Sequence, residues 1–359
     1  MSDALQFDIL AESSDGRARV GRVSTPHGSF DTPAFMPVGS RATIRGLTPD
    51  QIGATGSQVM LNNAYHLMLR PGDELIRRRG GVHAFMRWDR PILTDSGGYQ
   101  VFSMGDLNAV DEDGVTFNSI IDGSRIRMTP ERAIEVQNNL GADIIMAFDD
   151  CPPSVDPQRS NPHQRRLYEV AYGNLRSPEA HRHRLEQAEA RTVRWLQRCV
   201  AAHGRPHDQA LFGIVQGGTD VDLRNRAIEH ICNFDLPGFA IGGVAVGEGT
   251  AQIRAIVEHT APRLPRDKPR YLMGVGYEHD LVMAARSGVD MFDCVLPTRN
   301  GRNAYAFTPD GPLRLKNAAF REDDGVLEPG CDCAACGPGF TRAYLRHLFI
   351  SAEMLGPIL

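Results

Sequence analysis

Three acids in this chain follow short apolar runs, and each is succeeded by residues that bend the backbone. Asp293 closes Met291-Phe292 in the stretch D-M-F-D-C-V-L-P-T-R-N-G-R-N-A from Asp290 to Ala304, where a short buried strand is predicted to run out. Beyond it Pro297 forbids continued pairing, and Arg299 and Arg302 bracket a predicted Asn-Gly turn. An acid held at a strand end with two guanidiniums beyond it suits a nucleophile or metal ligand facing an anionic substrate. A strand followed by a solvated basic loop accounts for the same residues. Asp95 lies in L-T-D-S-G-G-Y-Q-V-F, where Ser96 leads into a Gly-Gly that lets backbone approach a ligand and Tyr99 offers a stacking face. Ordinary turns use these residue types too. Paired with Asp293, however, Asp95 supplies the second of two carboxylates that can divide labour, one attacking a carbon while the other moves a proton.

Asp149-Asp150-Cys151 ends the third run, and two acids emerging from an apolar strand cost desolvation unless a ligand or hydrogen bond answers them. A helix N-cap explains one acid but not both. Gln216-Gly217-Gly218 adds an amide that donates and accepts at once, and Gly242-Gly243 adds bare backbone N–H groups. Together these groups suit the edge of a purine-like ring, with Tyr99 and Met273 placed to sandwich its faces. Cys331-x-Cys333-x-x-Cys336 groups three thiols within six residues, most simply as ligands of a structural zinc. His347 is the only histidine downstream that offers a fourth ligand, at a spacing with no clear precedent.

Short apolar runs that could carry these residues recur along the chain: Ala34–Val38, Gln58–Leu61, Ile92–Thr94, Ile144–Phe148, Leu211–Val215, Phe239–Ile241, Tyr271–Gly274 and Met291–Phe292. Helical patterns lie between them, opened by Thr129-Pro130-Glu131 and by Thr219-Asp220, or running over Thr250–Thr260 and Glu278–Ser287. Eight strand-helix units predict an α/β fold, a closed (β/α)8 TIM barrel, because eight parallel strands joined by helical crossovers close a sheet without edges. An open doubly wound sheet is the alternative. The barrel is favoured because it gathers Asp95, Asp149, Gln216, Gly243, Met273 and Asp293 into one ring at the C-terminal strand ends, whereas an open sheet spreads them along a line.

Residues 5–38 read as a hairpin-like lead-in followed by the first of these runs, Ala34–Val38, and two segments interrupt the rhythm. Cys151–Gly204 begins as a Pro-rich loop and continues as a helix bearing His181, Arg182, His183 and Arg184, read here as a solvated face in preference to an RNA contact. From Ala304, strand-like pieces lead to the cysteines and to a helical pattern over Thr341–Leu355. The expected division is a barrel domain over 1–303 and a C-terminal zinc-binding subdomain over 304–359.

The 359 residues, 42% hydrophobic and 23% charged, fit a soluble globular protein rather than a disordered or membrane one. No apolar run approaches a membrane span, the N-terminus carries no export pattern, and the seven cysteines form no disulfide framework, so a cytoplasmic protein is expected. A net charge of -5 gives no global attraction for nucleic acid, leaving any RNA contact to a local patch.

These motifs, in this order, closely resemble those of the bacterial tRNA-guanine transglycosylases, also called queuine tRNA-ribosyltransferases. The match runs over D-S-G-G-Y-Q at 95–100, M-A-F-D at 146–149, F-G-I-V-Q-G at 212–217, G-G-V-A-V-G-E at 242–248, Y-L-M-G-V-G at 271–276, F-D-C-V-L-P-T-R at 292–299 and C-x-C-x-x-C at 331–336. The resemblance implies a (β/α)8 barrel with a zinc-binding insertion, and exchange of guanine at wobble position 34 of tRNAs with GUN anticodons for the queuine precursor preQ1. It implies that Asp293 is the nucleophile on ribose C1′, through a covalent tRNA intermediate, and Asp95 the general acid/base. Asp149, Gln216 and Gly243 then grip the base edge beside Ser96 and Gly242, with Tyr99 and Met273 on its faces, while Glu248 senses the aminomethyl group of preQ1. Arg299 and Arg302 match a loop that contacts the anticodon of the tRNA partner, and a homodimer is the family's habit. Cys151 and Val246 fit the preQ1-using branch; Val244 replaces the more usual Leu at a position expected to act through its backbone. The segment between Asp149 and Gln216 is longer than the family pattern, and the family's fourth zinc ligand is a His beyond where this sequence ends, after the T-R-A-Y-L-R-H-L-F helix that contains His347, so that either the chain is shortened or the zinc site is incomplete.

A non-catalytic RNA-binding partner subunit is the competing reading, disfavoured because a chain freed from catalysis need not retain both Asp95 and Asp293. A metal-dependent barrel hydrolase is disfavoured because no carboxylate-His cluster is legible at a strand end.

Overall fold

The computed structural model describes residues 4–104, 106–154 and 177–359. Residues 155–176, which include most of the Pro-rich loop expected after Cys151, lie outside the described residues. The chain divides into two compact units, one of residues 1–43 and 55–294, the other of residues 44–54 and 295–359. The boundary read from sequence, 303/304, falls inside the second.

In the first unit, β1 (Gln6–Glu12), β2 (Arg19–Thr25) and β3 (Gly28–Thr32) form the antiparallel lead-in. The barrel begins with β4 (Ala34–Pro37), β5 (Met60–Asn62) and β6 (Ile92–Thr94). An antiparallel three-stranded sheet that the sequence did not reveal follows: β7 (Asp106–Val110), β8 (Val115–Asn118) and β9 (Arg125–Met128). The barrel resumes with β10 (Ile144–Met146), β11 (Ala210–Val215), β12 (Gly238–Ile241), β13 (Arg270–Leu272) and β14 (Met291–Cys294). All eight runs read as strands are strands of one parallel sheet, in the order β4-β14-β13-β12-β11-β10-β6-β5. A parallel bridge between Val38 and Leu61, with Gly39 N donating to Leu61 O at 2.7 Å, brings β4 back to β5. The sheet is thus a (β/α)8 barrel.

Every residue of β5, β6, β10, β11, β12 and β13 is buried, as parallel strands require when helices cover one face and side chains fill the other. That is why these segments read as unbroken apolar runs, while β1, with one face in water, alternates. The predicted helix starts hold. Thr129 caps Pro130–Leu140 by accepting from Arg132 N, Asp220 caps Val221–Cys232, and Thr250–Thr260 is a helix end to end.

The long helix Pro178–Ala202 departs from its reading as a solvated face. His181 and Arg184 are buried, whereas Arg182 and His183 are exposed. A run of four charged or polar residues spans more than a full turn, so some of them must face inward.

In the second unit, β15 (Tyr305–Thr308) and β16 (Gly311–Arg314) form a hairpin, and Ala304, Leu315, Leu345 and Leu348 make a small core. The helix expected over Thr341–Leu355 is two pieces, Arg342–Ile350 and Leu355–Ile358. Ala352 takes a left-handed backbone (φ 56°) and Glu353 N donates to Leu348 O at 2.9 Å, a Schellman closure that ends the first helix. The expected Asn300-Gly301 turn is also helical. Leu296–Gly301 is a short helix with Pro297 in its first turn, Arg299 within it and Arg302 at its C-cap.

Candidate active site at the C-terminal ends of the strands

Asp95 follows the last residue of β6 and is almost fully buried. Its Oδ1 accepts from the backbone N–H of Ala64 at 2.9 Å, and its Oδ2 from Gln100 Nε2 at 2.8 Å and from Asn63 Nδ2. Burial pushes its pKa up to about 6; the Asn63 and Ala64 hydrogen bonds work against that rise and the charge of Asp293 adds to it. A carboxyl near 6 takes up and gives back a proton close to neutrality, as acid–base catalysis requires.

Asp293 is a residue of β14, in register with Met36 of β4, rather than its successor. Tyr271 Oη donates to its Oδ1 at 2.6 Å and Gly274 N to the same oxygen at 2.8 Å. Among the described residues nothing donates to Oδ2. One oxygen anchored and the other bare is the arrangement an attacking carboxylate needs. Burial raises its pKa, and the bonds from Tyr271 and Gly274 moderate the rise.

Asp149 lies three residues beyond β10, and Gln216 follows the last residue of β11; Gln216 Nε2 donates to Asp149 Oδ2 at 2.5 Å. Burial takes Asp149 up to about 7, against the Gln216 bond and with help from the charges of Asp150 and Asp95. Gly242 and Gly243 pack on the Gln216 amide. A Cβ on Gly242 would stand 2.6 Å from Ile214 Cγ2 and 2.8 Å from Gln216 Nε2, and Gly243 has φ 61°. Only glycine fits both positions. Val244 is buried beside them. A Cβ on Gly98 would touch Asp149 Oδ1 at 3.1 Å, so the start of the helix Gly98–Met104, which carries Tyr99 and follows Ser96, abuts the Asp149 carboxylate; Tyr99 itself is half exposed. Met273 N donates to Ile241 O at 3.3 Å, which ties the end of β13 to that of β12. Glu248 accepts from Ala245 N at 2.5 Å, Val246 N at 3.0 Å and Ser154 Oγ at 2.5 Å, closing the loop after Gly243 on itself. Cys151 is partly buried, and burial pushes its thiol up, with Asp149's charge adding.

The two acids of the Asp149-Asp150 pair have different partners. Asp150 is held by Arg184 (2.9 and 2.6 Å) and Arg191 (2.5 Å) of the long helix.

Sequence reasoning passed over several residues that support the site. Asn63, one residue past β5, falls under the same strand-end logic that found the others. Tyr271 was hidden inside an apolar run. Arg224, fully buried, donates to the carbonyls of Val215 (2.8 Å), Gly218 (2.9 Å) and Gly243 (3.2 Å), which fixes the ends of β11 and β12; burial lowers its pKa to about 10. Nothing in its local sequence distinguishes it from a surface helix arginine.

A carboxylate-His cluster does exist, at the other end of the barrel. Asp143, just before β10, binds His27 Nδ1 at 2.7 Å through Oδ1 and His83 Nε2 at 3.0 Å through Oδ2. The two rings stack with centroids 3.6 Å apart and planes 11° apart, so each nitrogen addresses its own oxygen rather than a common point. The cluster was invisible in sequence because its members are 56 or more residues apart along the chain, 27 to 83 to 143.

In the second unit the ligand atoms of Cys331, Cys333 and Cys336 lie within 4.8 Å of one another, and Cys336 N donates to Cys333 Sγ at 3.4 Å. Soft thiolates this close fit a zinc or similar ion at about 2.3 Å from each sulfur. His347 is not part of this group; it stacks near Tyr344 and its Nδ1 lies 3.5 Å from Ser351 Oγ. Arg302 lies close enough to Arg299 and Arg45 that, after burial, their charges lower its pKa.

A (β/α)8 barrel carrying three buried acids, an amide and bare glycine backbone at the C-terminal strand ends has the layout of a barrel enzyme. A family model for queuine tRNA-ribosyltransferase matches residues 14–168 and 170–359. The queuine tRNA-ribosyltransferase of Herpetosiphon aurantiacus is 51% identical over 350 residues, 98% of this chain and 83% of that protein. Those of Thermus thermophilus and Synechococcus elongatus are 52% and 50% identical over 353 residues, each alignment covering 98% of this chain and 85% of the relative. The chain belongs to the queuine tRNA-ribosyltransferase family, the tRNA-guanine transglycosylases.

Proposed function

We propose that this enzyme replaces guanine at wobble position 34 of GUN-anticodon tRNAs by preQ1, through double displacement at ribose C1′, in queuosine synthesis. The observation that carries the reading is the pair Asp293 and Asp95: one with Oδ1 anchored and Oδ2 bare, the other raised to about 6. Asp293 Oδ2 attacks C1′ as the C1′–N9 bond breaks, the electron pair leaves with guanine, and Asp95 protonates the departing base. The incoming base then gives a proton to Asp95, and its N9 displaces Asp293 from C1′. Asp149 accepts from the base's N–H edge, while Gln216 and the Gly243 backbone complete the grip, with Ser96, Gly242 and Val244 lining it. Tyr99 and Met273 bound the ring's faces. Glu248 acts on the aminomethyl end through the loop whose Ala245 and Val246 N–H groups it holds.

We assign Arg299 and Arg302 to the anticodon loop, since a cluster of cations there suits phosphates despite the net negative charge. Cys331, Cys333 and Cys336 hold Zn²⁺, which supplies a structural cross-link rather than chemistry. No described helix is long and apolar enough to cross a membrane, and we place the enzyme in the cytoplasm with its tRNA, as a homodimer.

The test is exchange of labelled guanine into unmodified tRNA with preQ1 and queuine as competitors. Competition by preQ1 alone is expected; equal competition by queuine, or no exchange, would overturn the assignment. Trapping of tRNA on wild type but not on Asp293→Ala separates the covalent route from direct displacement. Elemental analysis should find about one zinc per chain, lost in Cys333→Ser.

A further inference from the structure

We infer that the long helix Pro178–Ala202 is a positioning element for the base pocket, and that Arg184 and Arg191 set the affinity for the incoming base by pinning Asp150, the chain neighbour of Asp149. The inference rests on the reading that Asp149 grips the base.

One face of that helix holds Phe148, Asp150 and Pro153 of the segment that leaves β10. Cys199 Sγ accepts from Phe148 N at 3.3 Å, and Trp195 stacks on the Phe148 ring with centroids 5.0 Å apart and planes 17° apart. Thr192 Oγ1 accepts from Asp150 N at 3.1 Å, while Arg184 and Arg191 bind the Asp150 carboxylate. Higher on the same face, His181 Nε2 lies 3.0 Å from Pro153 O. The members, 181, 184, 191, 192, 195 and 199, follow one another at intervals of three, seven, one, three and four residues, which at about 100° per residue keeps them all within one stripe of the helix. The basic run that the fold would otherwise leave unexplained thus points its inward half at the site.

Residues 149 and 150 have different partners, Gln216 for one and the helix for the other. Because Thr192 holds the Asp150 N–H while Arg184 and Arg191 hold its carboxylate, the helix fixes the backbone of Asp150 and with it the peptide that joins it to Asp149. Arg184 is bidentate on both Asp150 oxygens, the geometry that fixes a carboxylate plane and not only its position. The same peptide continues to Ser154, whose hydroxyl donates to Glu248, so the helix also braces the loop beyond Gly243. Electrostatics points the same way. Asp150's charge is one of those raising Asp149, and two guanidiniums beside it limit that effect.

The experiment compares wild type, Arg184→Lys, Arg191→Met and Asp149→Asn as full chains in guanine exchange, varying base and tRNA separately between pH 5.5 and 8.5, with thermal unfolding followed in parallel. Arg184→Lys keeps the charge and loses the bidentate fork, so it guards against a variant that simply fails to fold. The expected result is a base KM about tenfold higher in Arg184→Lys and in Arg191→Met, with tRNA KM and kcat at saturating base within about twofold, and with the pH at which base KM improves moved upward in Arg191→Met, which loses a charge, but not in Arg184→Lys, which keeps it. A lower melting temperature with unchanged base KM and pH profile in both variants would overturn the inference and leave the helix a structural support. If Asp149→Asn itself binds base as wild type does, the assignment of Asp149 falls, and the positioning role falls with it. If Asp149→Asn is impaired and the arginine variants are not, only the positioning role falls.

Discussion

Asp143 and Asp149 stand beyond opposite ends of β10, and Asp290 and Asp293 lie toward opposite ends of β14, so each strand offers a direct comparison of the same residue type in two settings. At the N-terminal ends, Asp143 is enclosed by two histidines and the Ile92 N–H, and Asp290 by the Arg19 guanidinium and the Arg270 N–H. At the C-terminal ends, Asp95, Asp149 and Asp293 have only neutral donors and one another. Burial opposes ionisation at both ends. At Asp143 the His83, Ile92 and His27 bonds outweigh it and the pKa falls, whereas at Asp149 they do not and it climbs to about 7. A barrel can thus be held together by acids at one end and keep acids in reserve at the other. The acids at the N-terminal ends are tied to a guanidinium or to two imidazoles and those at the C-terminal ends are not, and at Asp290 burial outweighs even Arg19, so that its pKa also rises.

The largest effect that tests this contrast is on Asp293. Asp293→Asn is expected to cut guanine exchange by about 10⁴-fold with little change in thermal stability, measured by labelled guanine incorporation and calorimetry. Exchange within tenfold of wild type would remove Asp293 from the chemistry. Next comes Asp290→Ala, which strands the buried Arg19 and is expected to cost about 3–5 kcal/mol by denaturant unfolding. The protein that remains folded should retain its base KM. A third measurement sharpens the comparison at Asp149. Its folded pKa is raised, so the wild type loses stability as pH rises from the ordinary 3.8 through about 7. Asp149→Asn should therefore be more stable than wild type at pH 8, on the order of 4 kcal/mol, and converge with it near pH 3.5, while its base KM rises about 10²-fold. The smallest effect belongs to His27, exposed on one side. His27→Ala should cost under about 1 kcal/mol. Because Asp143's folded pKa is lowered, that contribution is present above about 3.8 and fades as pH falls below it, so an equal loss at pH 2 and pH 6 would show that the pair does not act through ionised Asp143.

Much of this was legible in the chain itself. The eight barrel strands were read within a few residues because buried parallel strands carry apolar side chains on both faces, a pattern that needs no knowledge of neighbours. The strand-end logic then placed Asp95, Asp149, Gln216 and Asp293 together, since closure of eight strands puts their C-terminal ends on one rim. The sheet of β7–β9 escaped this reading, as did the break at Ala352, where a left-handed residue is not glycine.

What the sequence determined by itself, then, was the periodicity, the fold it demands and the acids at its rim. Only the tertiary structure decided which acids are answered and which are left unpaired. His27, His83 and Asp143 meet across long stretches of chain, as do Arg19 and Asp290, and the basic helix turns Arg184 inward to Asp150 rather than outward to solvent. A pKa depends on the nearest few ångströms of charge and donor, and those ångströms are set by packing between segments that share no local sequence.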